Sequence, residues 1–321
     1  MSSQKSILIL GANGQIGTVL TEHLREKFGE NSVIASDIRE TTRASGPFEI
    51  IDVTDGDRLS EMIKKYKVSE IYHLAAILSA TGEKMPIKTW DINMNGLLNV
   101  LEAARQEHVE KIFFPSSIAV FGPTTPRLDT PNEVPLLPET VFGITKAVGE
   151  YWCHYYHMRY GTDVRSLRYP GIISYQSDPG GGTTDYAVEI YHEAVKNGRY
   201  TCFLGPDTRL PMMYMDDAIR ATLEIMEAPA ENIRKRHSYN LAAMSFSPSE
   251  QAKSIKGFMP DFQISYEPDY RQKIAESWTE SIDDSDARND WGWQPEYNLE
   301  TMTKDMLLHL GKRYGNPVIT E

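Results

Sequence analysis

The sequence has little from which disulfide bonds or a metal centre could be built. Its two cysteines, Cys153 and Cys202, cannot form a disulfide framework, and they fit a reducing compartment. Cys153 and His157 would share one face of a helix, with His154 beside them, but a fourth ligand at normal spacing is missing. We therefore predict that this helix packs against another element and that the protein binds no metal.

The sequence also lacks an excess of basic charge and any long hydrophobic run. Its 33 Lys and Arg residues face 45 Asp and Glu residues, so the net charge is −12, which argues against a nucleic-acid partner. The apolar run at residues 6–10 is too short to span a membrane and has no signal-peptide cleavage pattern. We expect a cytoplasmic protein with no membrane partner.

What the sequence does contain is an alternation of short apolar strands and longer amphipathic helices. The strands are almost wholly apolar, which is typical of a sheet that is covered on both faces. The pattern predicts an α/β fold with a Rossmann-type, doubly wound parallel sheet. The predicted strands are residues 6–10, 32–37, 69–76, 110–117 and 162–170, and the main predicted helices are residues 16–28, 57–67, 89–107 and 144–160.

Three glycines lie between the first predicted strand and the first helix. Gly11 would permit a tight turn, Gly14 would let backbone approach a pyrophosphate, and Gly17 would let the helix pack against the strand. The N-terminus of the helix would then offer free N–H groups to phosphates. Asp37 ends the next strand, 20 residues after Gly17, where a carboxylate can bind the hydroxyls of an adenosine ribose. The pattern therefore predicts a dinucleotide site.

The regular alternation ends after Pro170, where a loop rich in Gly, Ser and Asp follows. We predict that residues 1–170 form the dinucleotide-binding Rossmann domain, which the chain rejoins at about 211–243. Residues 171–210 and 244–321 would form a smaller mixed α/β lobe that binds the substrate. No repeat, low-complexity tract or obvious linker separates the two parts.

The Gly-x-x-Gly-x-x-Gly spacing, together with "IIDVTD", "HLAA", "DINMNGLLNVLEAA", "FFPSSIAVFG" and "DWGWQPEYNLE", resembles the extended branch of the short-chain dehydrogenase/reductase superfamily. The resemblance extends over nearly the whole chain and implies NAD as the cofactor. The residues that it places against NAD are Gly11, Asn13, Gly14, Gln15, Ile16, Gly17, Asp37, Asp52, Val53, Leu74, Ala75, Ala76, Asn93, Lys146, Tyr169 and Ile172.

The same resemblance implies a catalytic Tyr-x-x-x-Lys pair and a Ser or Thr. Residues four apart lie on one face of a helix, so the lysine would lower the pKa of the tyrosine. Lys146 is present, and Ser117 lies five residues before Gly122, which aligns it with the catalytic hydroxyl; Ser116 is the alternative. Phe142 occupies the tyrosine position and has no proton to give.

Two explanations of Phe142 are open. The chain is either a Tyr→Phe variant made to trap substrate and cofactor, or a natural member that has lost the chemistry and only binds. Because so many other site residues remain, we favour the variant.

Several segments of both lobes are similar to short-chain-type L-threonine dehydrogenases: "AAILSATGEKMP", "TVFGITKAVGE" apart from its Phe, "DPGGGTTDYAVEIYHEA" and "RLPMMYMDDAIRAT". Such enzymes oxidise the 3-hydroxyl of threonine with NAD to give 2-amino-3-oxobutyrate. We expect Ser79 and Thr184 to bind this substrate, with Thr183, Asp185 and Tyr186 as weaker candidates. Residues 180–182 would form a flexible turn, a lid, or both.

Two other functions fit the sequence less well. One is a nucleotide-sugar epimerase or dehydratase similar to UDP-galactose epimerase, and the other is a non-catalytic NAD-binding protein. In all three cases, the helices at 89–107 and 144–160 resemble the pair that forms a four-helix dimer interface in this superfamily, so we expect a homodimer.

Overall fold

A seven-stranded parallel sheet dominates the computed structural model, which describes residues 5–41, 45–180 and 182–319. The strand order is β10-β6-β5-β4-β1-β2-β3, and every pairing is parallel. The strands are β1 (Ile7–Leu10), β2 (Val33–Asp37), β3 (Phe48–Ile50), β4 (Glu70–His73), β5 (Lys111–Ser117), β6 (Asp163–Tyr169) and β10 (Tyr239–Asn240).

Helices cover both faces of this sheet. One face packs against α2 (Gly56–Tyr66), α5 (Gly96–Gln106) and α6 (Val141–Tyr160), and the other packs against α1 (Gln15–Phe28) and α8 (Met215–Glu227). Apolar side chains fill the space on each side, and all four residues of β1 are fully buried. This arrangement confirms the predicted doubly wound α/β fold.

The carboxyl half of the chain forms most of a smaller lobe, which has its own apolar core. Its three-stranded sheet has the order β11-β9-β7, and a two-stranded sheet pairs β12 with β8. The remaining elements are α3 (Ser79–Gly82), α4 (Pro86–Trp90), β7 (Gly171–Ile173), α7 (Tyr186–Asn197), β8 (Arg199–Cys202), β9 (Leu210–Tyr214), β11 (Met244–Phe246), α9 (Pro248–Phe258), β12 (Gln263–Tyr266), α10 (Arg271–Glu276), α11 (Ser285–Trp291) and α12 (Leu299–Tyr314).

Most predicted elements are present, with shifted ends. The predicted strand at 69–76 ends at His73, and the predicted helix at 89–107 begins earlier, with α4, and passes through a π-helical turn at Asp91–Asn95 into α5. The edge strand β3 of the large sheet was missed, and so were the small-lobe strands β7, β9, β11 and β12. Gly181, in the predicted lid, lies outside the described residues.

The helix α6 is longer at its N-terminus than the sequence indicates, because Thr140 caps it by accepting the Gly143 N–H at 3.0 Å. Two glycines let it approach the sheet closely. A Cβ at Gly143 would lie 2.1 Å from the Ala119 carbonyl oxygen, and one at Gly149 would lie 2.6 Å from the Phe114 ring. This close packing brings the side chains of α6 under the carboxyl end of β5.

Within the described ranges, no helix is long and apolar enough to cross a membrane. No group of three or more His, Cys, Asp or Glu side chains there is arranged to hold a metal ion. Cys153 is fully buried in the core on the α6 side of the sheet, and the Nδ1 atom of His157 lies 3.1 Å from the Thr162 carbonyl oxygen.

Candidate active site

The turn between β1 and α1 is built by glycines that have no room for a side chain. Gly11 has a φ of +88°, and a Cβ there would lie 2.7 Å from the Ala75 amide nitrogen. A Cβ at Gly17 would lie 2.2 Å from the Gly11 carbonyl oxygen. The turn is therefore held as tightly as a pyrophosphate-binding loop requires.

The N-terminus of α1 is open to a ligand. No side chain caps it, and its first turn carries no acidic residue, so its N–H groups and positive dipole end are free to bind phosphates. The Asp37 carboxylate lies beside this turn, where it accepts the backbone N–H of Asn13 at 3.1 Å and that of Arg39 at 3.4 Å. These bonds hold the Asp37 carboxylate in place at the end of β2.

A cavity of about 230 Å³ continues from this turn between the two lobes. Most of the predicted site residues line it, and they come from both the large sheet and the smaller lobe. They are Gly11, Gly14, Gln15, Ile16, Gly17, Leu74, Ala76, Ser79, Ser116, Ser117, Phe142, Lys146, Tyr169, Ile172, Thr183, Thr184 and Asp185. The structure therefore brings the predicted cofactor, catalytic and substrate residues to one place.

Other predicted residues lie outside the lining of this cavity. Asn13, Asp37 and Ala75 belong to the glycine turn or its neighbourhood, as described above. The exposed Asp52 carboxylate accepts the Thr54 N–H at 2.9 Å, and Val53 is buried under Gly96.

Tyr186 is the predicted substrate residue whose position does not fit substrate binding. Its side chain is fully buried in the small-lobe core, edge-on to Phe203, and burial raises the pKa of its hydroxyl. It does not belong to the cavity lining.

Lys146 is buried at the base of the cavity. Its Nζ donates to the Pro115 carbonyl oxygen at 2.7 Å and lies 4.7 Å from the ring centroid of Phe114 and 5.5 Å from that of Phe142. Burial lowers the pKa of this lysine to about 8, although the negative charge of Glu150 acts in the opposite direction. The ammonium therefore gives up its proton more readily than an exposed lysine does.

Phe142 lies one turn before Lys146 and is also buried. Asn93, in the π-helical turn, braces this part of α6. Its Nδ2 donates to the Thr145 Oγ1 at 3.1 Å, and its Oδ1 accepts the Ile77 N–H at 2.8 Å. Asn93 thus connects α6 to the loop after β4 and does not itself line the cavity. Such π-helical turns often mark functional sites.

The adjacent serines at the end of β5 have different surroundings. The buried Ser116 donates to the Glu150 Oε1 at 2.5 Å, and both oxygens of Glu150 also bind the Arg168 guanidinium, at 2.9 and 2.8 Å. The half-buried Ser117 accepts the Ala119 N–H at 3.2 Å, which leaves its own proton available to a ligand. The geometry leaves the Ser117 hydroxyl able to donate to a ligand and gives Ser116 a structural partner.

Hydroxyl groups from the two lobes meet across the cavity. The buried Ser79 Oγ lies 3.2 Å from the Thr183 Oγ1, and Thr184 follows directly. The Asp185 carboxylate accepts the Gly182 N–H at 2.8 Å. The substrate side of the cavity therefore offers several neutral donors and one carboxylate.

Sequence reasoning missed three residues of the lining with large side chains, Leu78, Ile118 and Trp278. Trp278 comes after α10, far along the chain from the glycine, serine and lysine motifs, and its buried ring reaches the cavity only through the packing of the small lobe. No sequence signal could have identified it. Leu78 directly precedes the predicted Ser79 and could have been found by extending that segment.

The fold, the glycine turn, the open helix terminus and the lysine–serine cavity define a Rossmann-type dinucleotide-binding protein of the extended short-chain dehydrogenase/reductase type. The family described as "NAD dependent epimerase/dehydratase family" matches residues 7–242, and the chain belongs to it. NAD is the cofactor, as predicted, and the described residues of the turn and cavity fit it.

The chain is similar to proteins from several sources over almost its whole length. An uncharacterized epimerase/dehydratase of Staphylococcus aureus (strain MRSA252) is 50% identical, over 94% of this chain and 96% of the relative. The holo structure of a GalE-like L-threonine dehydrogenase from Cupriavidus necator is 55% identical, with a TM-score of 0.94 over 95% of this chain and 99% of that one. A monomeric L-threonine 3-dehydrogenase from a metagenome, in its apo form, is 51% identical, with a TM-score of 0.93 over 97% and 99%.

Proposed function

We propose that this protein oxidises the 3-hydroxyl of L-threonine with NAD to 2-amino-3-oxobutyrate. The observation that carries the proposal is the meeting, in one cavity, of Ser117 and Lys146 with the hydroxyls of Ser79, Thr183 and Thr184. The similarity to solved L-threonine dehydrogenases supports it.

The charges of the cavity suit a small zwitterionic alcohol. The Asp185 carboxylate would pair with the substrate ammonium, and the hydroxyls of Ser79 and Thr184 would donate to the substrate carboxylate. Lys146 is the only Lys or Arg among the described residues that line the cavity. A nucleotide diphosphate is usually bound by several cations, so this lining favours an amino acid over a nucleotide sugar.

NAD, when bound, supplies the acceptor for the hydride. The protein's own residues do the rest. Ser117 would orient the substrate alcohol, the glycine turn and Asp37 would hold the dinucleotide, and the Trp278 ring would help to exclude water. Phe142 keeps the shape of the site but leaves it without the phenol of the motif, so we propose that this chain binds both ligands and turns them over slowly.

The experiment is NADH formation from L-threonine, measured for this chain and for Phe142→Tyr. A positioned acid/base group contributes about 10²–10⁴-fold in rate, so the variant should be faster by roughly two orders of magnitude or more, with a much smaller change in the Michaelis constant. The rescued rate should rise with pH, with an apparent pKa below the free-tyrosine value of about 10, because Lys146 favours the phenolate.

A thermal-shift series separates the alternatives. NAD with L-threonine should raise the melting temperature more than NAD alone or NAD with a UDP-sugar. Stabilisation by the UDP-sugar instead would support an epimerase or dehydratase. Cofactor binding without turnover, even after Phe142→Tyr, would support a non-catalytic NAD-binding protein. Equal rates for the two chains would mean that position 142 is not the acid/base.

We also propose that the chain forms a homodimer through α6 and the helical segment that runs from α4 into α5. Four exposed residues of α6, Ile144, Tyr151, Tyr155 and Met158, recur at spacings of 7, 4 and 3 and so lie on one helix face. The exposed side chains of Ile87 and Trp90 in α4 extend this apolar surface. Apolar patches of this kind on a folded chain mark interaction sites.

Sedimentation velocity tests the dimer. A double substitution, Tyr151→Lys with Met158→Lys, should shift the protein to monomer because it places charges at a buried interface. Leu128→Lys is the matched control, since Leu128 is 64% exposed but lies outside α4 and α6. A monomeric unsubstituted chain, like the metagenome relative, would refute the proposal.

A further inference from the structure

The replacement of a phenol by Phe142 raises the question of which group accepts the proton of the substrate alcohol. Among the described residues that line the cavity, the side chains with an ionisable group are Lys146, Tyr169 and Asp185. Serine and threonine hydroxyls can relay a proton, but they cannot hold an additional one near neutral pH. The acceptor must therefore be one of these three groups or water.

Tyr169 is unsuited to this role. Its buried hydroxyl is hydrogen bonded to the Thr222 Oγ1, and burial raises its pKa. Asp185 lies just before α7, where its carboxylate accepts the Gly182 N–H. It lies on the segment that carries Thr184, whereas Ser117 is carried by β5, so it suits the substrate ammonium better than the reacting alcohol.

Lys146 lies near Ser117, the residue that would orient the substrate alcohol. Its Nζ contacts the carbonyl oxygen of Pro115, two residues before Ser117 on the same strand, and it lies 5.5 Å from the ring centroid of Phe142. That carbonyl is the one hydrogen-bond acceptor for Nζ among the contacts of the described residues, so the other valences of Nζ remain available towards the cavity.

The charged and titratable groups around Lys146 do not provide a counter-ion in contact. Glu150, one turn further along α6, is bound through both oxygens to Arg168 of β6. His73, at the end of β4, is neutral, because burial, with the charge of Lys146, lowers its pKa to about 3. Burial keeps the Cys153 thiol protonated by raising its pKa. With the pKa of Lys146 lowered to about 8, a substantial fraction of neutral amine exists in mildly alkaline solution.

We propose that in this chain the amine of Lys146 itself accepts the proton of the substrate alcohol, directly or through Ser117. The step rests on the proposed oxidation of threonine. The 3-hydroxyl proton moves to the Nζ lone pair, the C3–O bond becomes a carbonyl, and the hydrogen on C3 leaves as hydride to reduce NAD. The lysine ends as an ammonium, and it returns its proton to water after the ketone leaves.

The first readout needs no turnover. Binding of NAD brings the positive charge of the nicotinamide near Lys146, so protons should be released at pH 8. Calorimetry in two buffers of different ionisation enthalpy counts them. The release should be lost in Lys146→Arg and Lys146→Met and kept in Lys111→Met. Lys111 is a matched control because its Nζ also donates to a backbone carbonyl, that of Met226 at 3.0 Å, outside the cavity.

The second readout is the slow NADH formation of the Phe142 chain against pH. It should rise up to a pKa at or below about 8 and then level off. Lys146→Arg keeps the positive charge and the hydrogen-bond donors, so it should change NAD affinity less than the rate. Because a guanidinium does not lose its proton near pH 8, the variant should lower the rate by about 10²-fold or more. Proton release that survives in both Lys146 variants overturns the proposal, as does a pH profile that Lys146→Arg leaves unchanged. NADH formation that is lost in Asp185→Asn but unchanged in both Lys146 variants would assign the base to Asp185.

Failure of the proposed function would look different. The proton release would still depend on Lys146, but L-threonine would give no NADH even with Phe142→Tyr. The base assignment, which is made for threonine, would then fail together with its substrate.

Discussion

Replacement by alanine should have different effects at the two neighbouring serines at the end of β5. Ser116→Ala removes a buried hydrogen bond, 2.5 Å long, to the Glu150 carboxylate. Ser117→Ala removes a hydroxyl that accepts one backbone N–H and faces the cavity. The first change should destabilise the fold, and the second should slow the chemistry.

The magnitudes follow from the partners. A hydrogen bond to a charged group contributes about 1.5–3 kcal/mol to stability, and Glu150 keeps its bonds to Arg168 after the change, so Ser116→Ala should cost about 2 kcal/mol in the free energy of unfolding. For a chain of this size that corresponds to a drop in melting temperature of about 3 °C. Ser117→Ala breaks a neutral bond at a half-buried position and should cost about 1 kcal/mol or less. Its loss of turnover should be about 10²-fold, as for other groups that position the reacting oxygen.

Both substitutions are best measured in the Phe142→Tyr background, where turnover is fast enough to compare. Urea denaturation gives the free energy of unfolding, and NADH absorbance with saturating NAD and L-threonine gives the rate. A Ser116→Ala protein of unchanged stability that loses turnover, beside a Ser117→Ala protein that keeps it, would reverse the two roles. It would also show that the hydroxyl contacts described above do not determine function.

Two further predictions concern the ligands. The Asp37 carboxylate should repel a 2′-phosphate, so calorimetry should give tighter binding of NAD than of NADP; equal or tighter NADP binding would contradict the assignment of Asp37 to the ribose. Thr184→Ala, in the Phe142→Tyr background, should weaken threonine use markedly and leave NAD affinity nearly unchanged, because Thr184 lies on the substrate side of the cavity. If NAD affinity falls as much as threonine use, Thr184 contacts the cofactor.

Within the large sheet, burial separates the strands that sequence predicts well from the strand that it misses. The strands β1, β4, β5 and β6 are runs of buried residues and were all expected. The missed strand β3 has three residues at the edge of the sheet, none of them buried, and pairs with β2 alone. A short edge strand of this kind carries no strong periodic signal, and its pairing depends on the neighbour that tertiary structure provides.

In the site, too, local sequence patterns identify some residues, and long-range packing contributes the others. Phe142, Lys146 and Ser117 were assigned from the resemblance to extended short-chain dehydrogenases, and the four-residue spacing of the first two fits one face of a helix. What the sequence did not reveal is contributed by packing between distant segments. The Trp278 ring, the contact between Ser79 and Thr183, and the pairing of Glu150 with Arg168 all join residues that no local spacing relates.

The last strand of the large sheet, β10, follows the first part of the small lobe in the sequence. Asn240 of β10 pairs with Arg168 of β6 in the sheet, and its side chain accepts from the Arg168 guanidinium and donates to the Thr130 and Asp283 carbonyls. A ribosome must therefore release some 240 residues before the sheet acquires its outer edge. A gene cut between the lobes would leave the sheet unfinished and a buried guanidinium short of a partner. Neither lobe could therefore be exchanged as an independent segment of the gene, because the strand that completes the large sheet follows part of the small lobe in the sequence.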